Sequence, residues 1–97
     1  MTGPVRFSVL VEVQLRDGIA DPQGATIERA LPALGLAGVT GVRAGKAFRF
    51  EVVADDEGDA LAQATVVAER LLANPVIEQS SVTVLPAGMA TPVGSGV

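Results

Sequence analysis

Three short polar stretches of this sequence contain the side chains that could bind or react. They are Asp21-Pro22-Gln23-Gly24, Val42–Lys46 and Leu71–Glu78. Their carboxylate, amide, guanidinium and ammonium groups can form hydrogen bonds and ion pairs. The chain has no histidine and no cysteine, which removes the commonest general base, the commonest zinc ligand and any thiol nucleophile. We therefore exclude zinc enzymes and Ser-His-Asp hydrolases. Our prediction for the chain as a whole, which also draws on the family resemblance described below, is that it has no catalytic residue, metal or cofactor.

The first stretch has a structural interpretation that explains only half of it. Asp21 can cap a helix by accepting a bond from a free N–H group, and Pro22 suits the first helical position because an N–H there would have no partner. Gln23 and Gly24 need another reason, since glycine inside a helix costs about 1 kcal/mol relative to alanine. Glycine is used where another backbone or a partner must come close. A cap alone and a functional role both stay open.

The second and third stretches have simple interpretations on spacing alone. Lys46 is the only lysine, and with Arg43 it brackets a predicted hairpin turn as a local positive spot in an acidic chain. A solvated hairpin tip explains both charges. Asn74, which precedes a proline, is explained as a helix stop, and Glu78 as an exposed charge.

The acidic run Asp55–Asp59 could be a divalent-metal loop or the start of a helix. It lacks the spacing of an EF-hand, and a helical pattern follows at once. Carboxylates are favourable at a helix N-terminus because of the helix dipole. We favour the helix start.

Size and charge set the class of the protein. At 97 residues the chain is one domain, predicted over 1–85, with a disordered tail over 86–97 that is rich in Pro, Gly and Ser. The net charge of −4 argues against binding a phosphate backbone. No signal peptide is recognisable at the start, and no apolar run approaches the roughly 20 residues of a membrane span. The expected location is the cytoplasm.

The elements that position the polar stretches follow from periodicity. Val5–Leu15 alternates apolar and polar residues, which predicts a long strand with one covered face. A helix begins at Asp21-Pro22, is irregular near Pro32 and stops at Gly35. Its predicted buried stripe consists of Ile27, Ala30, Leu31 and Leu34.

The second half of the chain repeats this alternation of strands and helix. Val39–Arg43 and Lys46–Ala54 are predicted to form a β-hairpin around Ala44-Gly45. A second helix then runs to about Ala73, and a last strand spans roughly 80–85. The predicted buried stripe of the second helix consists of Leu61, Ala64, Ala68, Leu71 and Leu72.

The resulting order, β-α-β-β-α-β, predicts an α+β fold of the ferredoxin-like kind. In it a four-stranded antiparallel sheet carries both helices on one face. Strands one and three are central in that arrangement, and here they are the longest. Phe7, Phe48 and Phe50 are expected to point at the helices.

Taken together, the three polar stretches closely resemble the small PurS subunit family of phosphoribosylformylglycinamidine synthase. The matching motifs are Asp-Pro-Gln-Gly, Val-Arg-x-Gly-Lys and Leu-Leu-Ala-Asn-Pro-Val-Ile-Glu, in the same order and over residues 5 to about 85. Pro32 and the length of the tail depart from the family pattern, but neither touches the motifs.

The resemblance implies a non-catalytic subunit of an ATP-dependent, glutamine-using ligase complex. Its expected partners are a large synthetase subunit and a glutaminase subunit, which together install ammonia on formylglycinamide ribonucleotide in purine biosynthesis. It also implies self-association into a dimer or tetramer. The candidate partner-binding residues are those of the motifs: Asp21, Gln23, Gly24, Arg43, Lys46, Asn74 and Glu78.

Two other classes were weighed against this one. The run Gly45–Phe50 faintly echoes the third strand of RNA-recognition motifs, but its aromatics are expected on the helix-facing side and the chain is acidic. The other class is a small-molecule regulatory domain of ferredoxin-like topology. Such a domain would use a Gly-rich turn after the first strand, and Asp17-Gly18 is only weak support for one. A heat-stability shift with an amino acid ligand would support that class.

Overall fold

A computed structural model describes residues 3–86 of the chain. Residues 87–97, most of the predicted tail, lie outside the described residues. The elements in chain order are β1 (Val5–Leu15), α1 (Pro22–Ala30), a 3-10 turn (Pro32–Leu34), β2 (Gly45–Ala54), α2 (Glu57–Val67), a π-helical turn (Ala68–Leu72) and β3 (Glu78–Val84). None of the helices in this part of the chain is long and apolar enough to cross a membrane.

The three strands form one antiparallel sheet with β1 in the centre. The order is β2-β1-β3, and Val9 lies opposite Phe50 on one side and Val84 on the other. The prediction that β1 is central is therefore confirmed, whereas the other strand predicted to be central, observed as β2, lies at an edge of the sheet formed by residues 3–86. An α+β fold with two helices and an antiparallel sheet is confirmed.

The core lies between the apolar face of β1 and α2. Val9, Val11 and Val13 are at most 1% exposed, and Ala60, Ala64 and Ala68 are completely buried. These alanines recur every four residues, so they share one helix face, and their small side chains let the helix come close to the sheet. Three aromatic residues pack against this core, as predicted: Phe7, Phe48 and Phe50.

The predicted stripe of α2 was partly wrong. Ala64 and Ala68 are buried and Leu72 is partly buried, but Leu61 is 42% and Leu71 79% exposed. Ala60, which the sequence interpretation omitted, takes the place of Leu61. The larger leucines lie outside the narrow contact with the sheet.

The predicted fourth strand over Val39–Arg43 is wrong, and so is the hairpin around Ala44-Gly45. Within residues 3–86 the sheet has three strands, not four, and Gly45 already belongs to β2. The reason lies in the backbone. Gly41 has a φ of 72°, outside strand geometry. The Val42 and Ala44 N–H groups donate to the side chains of Glu28 and Asp21 instead of to a strand.

The first helix ends as its sequence predicted, but its apolar stripe is not buried. After Ala30 the chain continues as the 3-10 turn that begins at Pro32, and Gly35 closes it with a φ of 80°. Leu31 is half-buried, whereas Ile27 is 44% and Leu34 71% exposed.

Candidate partner-binding site

The Asp21 carboxylate joins the start of α1 to the chain that enters β2. Its Oδ1 accepts from the Gly24 N–H at 3.0 Å, and its Oδ2 accepts from the Ala44 N–H at 2.8 Å. The hydrogen bond from Gly24 has the largest effect on the pKa of Asp21 and, with the bond from Ala44, holds it below its ordinary value. The nearby Arg43 charge acts in the same direction. Asp21 is therefore the predicted cap and also a tertiary contact.

Gly24 is buried because another backbone lies against it. A Cβ at this position would come within 2.6 Å of the Val42 carbonyl oxygen and would also overlap the Asp21 carboxylate. One turn further along the same helix face, Glu28 Oε1 accepts from the Val42 N–H at 2.9 Å. Close backbone approach thus explains Gly24. Sequence reasoning missed Glu28, although its spacing of four from Gly24 on an apolar-striped helix was visible.

The two cations of the second stretch lie at the end of the sheet where β1 finishes and β2 begins. Arg43 Nη2 donates to the Leu15 carbonyl oxygen at 3.0 Å. Lys46 Nζ lies 3.6 Å from Glu78 Oε2, with the lysine side chain 55% exposed and the glutamate 16%. Instead of forming the expected solvated hairpin tip, Arg43 contacts the end of β1, and Lys46 on β2 pairs with Glu78 on β3.

The third stretch forms a tight turn that leads into β3. Asn74 Oδ1 accepts from the Val76 N–H at 3.1 Å, and Glu78 Oε1 accepts from the Asn74 N–H at 2.7 Å. Arg16, which sequence reasoning did not single out, donates from Nε to the Pro75 carbonyl oxygen at 3.1 Å. Glu78 is thus half-buried, with Oε1 in a hydrogen bond and Oε2 in an ion pair with Lys46, and is not simply an exposed charge.

These three stretches meet at one end of the sheet. In register, Lys46 lies opposite Val13 and Glu78 opposite Leu15, so the ion pair spans β1 on its apolar side. A cavity of about 280 Å³ is formed by residues from all three stretches and from β1: Val13, Leu15, Asp21, Pro22, Gln23, Ala44, Gly45, Lys46 and Glu78. Three of the candidate residues, Gly24, Arg43 and Asn74, are not among them; the Asn74 N–H donates to Glu78, which is.

The arrangement is suited to binding. Its floor includes apolar side chains, and its rim carries an ammonium and an amide. Gln23 is exposed and forms no side-chain hydrogen bond with any residue of 3–86. In the same range no group of three or more His, Cys, Asp or Glu side chains could hold a metal ion.

The structure also bears on the acidic run and on the RNA-binding alternative. The acidic run supplies the start of α2, where Asp56 Oδ1 accepts from the Asp59 N–H at 2.8 Å, as favoured from the sequence. Phe48 and Phe50 are partly buried against the core, so they do not form an open stacking platform for bases.

Comparison with known proteins identifies the family. Residues 8–86 match the family model of PurS, described as phosphoribosylformylglycinamidine (FGAM) synthase. The chain belongs to the PurS family. It is accordingly a PurS-type subunit of FGAM synthase, as its motifs predicted, and the regulatory-domain alternative is not favoured.

Individual PurS proteins are similar over most of their length. The FGAM synthase subunit PurS of Mycobacterium leprae is 47% identical over 76% of this chain and 90% of its own. A chain in the structure of PurLQS from Thermotoga maritima is 36% identical, with a TM-score of 0.77 over 84% of this chain and 99% of that one.

PurS of Methanocaldococcus jannaschii is described as one of the subunits of formylglycinamide ribonucleotide amidotransferase in the purine biosynthetic pathway. It is 30% identical, with a TM-score of 0.72 over 81% of this chain and 95% of its own.

Proposed function

We propose that this chain is a non-catalytic bridging subunit. It joins a large ATP-dependent synthetase subunit to a glutaminase subunit and helps to shelter the ammonia that passes between them. The complex converts formylglycinamide ribonucleotide, glutamine and ATP to formylglycinamidine ribonucleotide. The proposal places the chain in the cytoplasm, where ATP and glutamine are supplied.

The observation that carries the proposal is the meeting of the three motifs around one cavity. Residues from positions 21–24, 43–46 and 74–78 are far apart in sequence but adjacent at the end of the sheet. A surface assembled from three separate segments is a specific one, and its polar rim suits a protein partner. The likeness to a chain of the PurLQS structure supports this use.

Within this site we propose two kinds of role. Gln23, Arg43 and Lys46 are exposed and contact a partner directly. The remaining candidates position them through bonds within the chain, and Gly24 does so by admitting the Val42 backbone: Asp21, Gly24, Asn74 and Glu78. The start of α1 lies beside Val13 and Leu15, which supports our proposal that both helices lie on the apolar face of the sheet.

We also propose that the isolated chain forms a homodimer or homotetramer. The outer edge of β2 pairs with no strand of residues 3–86. Four apolar side chains of α1 and of the segment between it and β2 are 44–71% exposed: Ile27, Leu34, Leu36 and Val39. Unpaired edges and exposed apolar surface favour self-association. A monomeric mass by light scattering would reject this part of the proposal.

The proposal is tested by glutamine-dependent activity of the large and glutaminase subunits with and without this chain. We expect activity and co-elution of all three proteins only when the chain is present. Equal activity without it, with no co-elution, would overturn the bridging role.

A double variant tests the contact residues. Arg43→Gln with Lys46→Gln removes two charges from the site, and we expect assembly at least about tenfold weaker, a loss of about 1.4 kcal/mol. The matched control is Arg6→Gln with Arg29→Gln, which makes the same charge change outside the three motif stretches. Thermal unfolding of both variants separates lost contact from lost structure. Unchanged affinity of a folded Arg43/Lys46 variant would show that these side chains do not contact a partner.

A further inference from the structure

A second cavity lies next to the one formed by the three motif stretches, between the π-helical turn and the start of β3. Its volume is about 440 Å³, and its lining includes Arg16, Arg70, Glu69, Gln79 and Ser80. Glu78 lines both this cavity and the smaller one described above, so the two cavities share a wall residue.

The two arginines of this cavity form no ion pair with any carboxylate of residues 3–86. Arg70 is exposed and forms no hydrogen bond or ion pair with any residue between 3 and 86. Arg16 uses its Nε for the Pro75 carbonyl oxygen, which anchors the side chain, but no described carboxylate pairs with it. The chain has 11 acidic and 7 basic residues, so two unpaired guanidinium groups at one cavity call for an explanation.

The carboxylates at the same cavity leave this positive charge in place. Glu78 is already committed to Lys46 and to the Asn74 N–H. Glu69 lines the cavity without forming an ion pair to either arginine. Glu69 and Glu78 would repel a multiply charged phosphate more strongly than a singly charged carboxylate, so the cavity favours a carboxylate as its anion.

The backbone on one side of this cavity has a conformation that is common at functional sites. Glu69 and Arg70 belong to the π-helical turn Ala68–Leu72, whose wider backbone ring ends α2. Single π-helical turns of this kind occur frequently at functional sites. On the opposite wall, Gln79 and Ser80 offer neutral hydrogen-bond donors beside the two cations.

We propose that this cavity receives an aspartate or glutamate side chain of a partner subunit in the complex. The planar guanidinium group matches a carboxylate with two parallel N–H···O bonds, and Arg16 is held in place in advance by Pro75. The inference rests on the proposed bridging function and names the chemistry of one contact in it.

The test compares Arg70→Glu with Arg29→Glu in assembly with the purified large and glutaminase subunits. Arg29 is exposed near the end of α1 and does not line the cavity, so its variant makes the same charge change elsewhere. We expect Arg70→Glu to weaken assembly by at least about tenfold and Arg29→Glu by less than about twofold, because the buried partner carboxylate would face a like charge. Arg70→Lys keeps the positive charge but loses the paired N–H donors of the guanidinium group, so its loss of assembly affinity should lie between those of Arg70→Glu and Arg29→Glu. Added salt should weaken the wild type more than Arg70→Glu.

The outcomes separate this inference from the function on which it rests. If the wild type does not assemble with either subunit, the bridging function fails. If it assembles and Arg70→Glu matches it, only the carboxylate contact is wrong. A third outcome also overturns it: millimolar glutarate or inorganic phosphate raises the Tm of the wild type but not of Arg70→Glu, while assembly is unchanged. The cavity would then be a site for a free anion.

Discussion

The two helices of this protein begin in almost the same way, yet only one beginning is tied to the rest of the fold. Both start after an aspartate whose Oδ1 accepts an N–H three residues later, Asp21 from Gly24 and Asp56 from Asp59. Both carry a glycine in the first turn. Asp21, however, also accepts from Ala44, which lies 23 residues further along the chain. The first cap is tertiary and the second is local.

The two glycines show the same difference. A Cβ on Gly24 would press on the Val42 carbonyl oxygen and on Asp21, whereas a Cβ on Gly58 would meet one atom, Asp56 Oδ1, at an ordinary 3.4 Å. A local cap stabilises a helix, but a tertiary cap also fixes where the helix stands relative to another segment. The Asp-Pro-Gln-Gly stretch is therefore held against the segment that enters β2, whereas the Asp55–Asp59 run forms only a local cap.

Alanine in place of each glycine should give the largest contrast between the two helix starts. Gly24→Ala forces the Val42 backbone or the Asp21 cap to move, and we expect a loss of about 1–3 kcal/mol or more in the free energy of unfolding. Gly58→Ala should be neutral or stabilising by up to about 1 kcal/mol, since alanine is the better helix former. Urea unfolding of both variants measures this. Equal stability of Gly24→Ala and the wild type would show that the helix and the Val42 segment are not in tight contact.

Removing each cap should give a smaller contrast in the same direction. Asp56→Ala loses one local hydrogen bond and should cost about 1 kcal/mol. Asp21→Ala also leaves the Ala44 N–H without its acceptor, so we expect a larger drop in Tm than for Asp56→Ala. Thermal unfolding followed by circular dichroism compares the two. Equal Tm losses would mean that the bond to Ala44 adds nothing to the cap.

The elements that the sequence predicted well are those whose signal is local. Eleven alternating residues specify β1, and an aspartate before a helical pattern specifies the start of each helix. The face of α2 was less predictable. Leu61 and Leu71 are the larger apolar residues, but a helix lying close to the valines of β1 buries its alanines instead.

The errors concern contacts made by backbone N–H and C=O groups. Nearly every residue type carries these groups, so the sequence does not show which of them meet. Val39–Arg43 has strand-like composition, yet the Val42 N–H donates to the Glu28 side chain of α1, and the Ala44 N–H just after this segment donates to Asp21. For the site, the sequence picked out Gly24 but could not name the Val42 carbonyl oxygen as its reason. Arg16 and Arg70 were missed because an exposed arginine is ordinary until its neighbours are known.

Acid should erase part of the difference between the two helix starts. The pKa of Asp21 is lowered in the folded chain by the Gly24 and Ala44 N–H groups, so its carboxylate contributes stability above the unfolded value of about 3.9. That contribution is lost as the pH falls through the lower folded pKa. Asp21→Asn, which cannot accept both bonds at any pH, should therefore be less stable than the wild type by a constant amount from pH 5 to 7, approaching it below about pH 4. Urea unfolding at each pH measures the gap, and the remaining acidic residues cancel because both proteins share them. A gap of the same size at low and neutral pH would show that the Asp21 charge plays no part in joining the helix to the Ala44 segment.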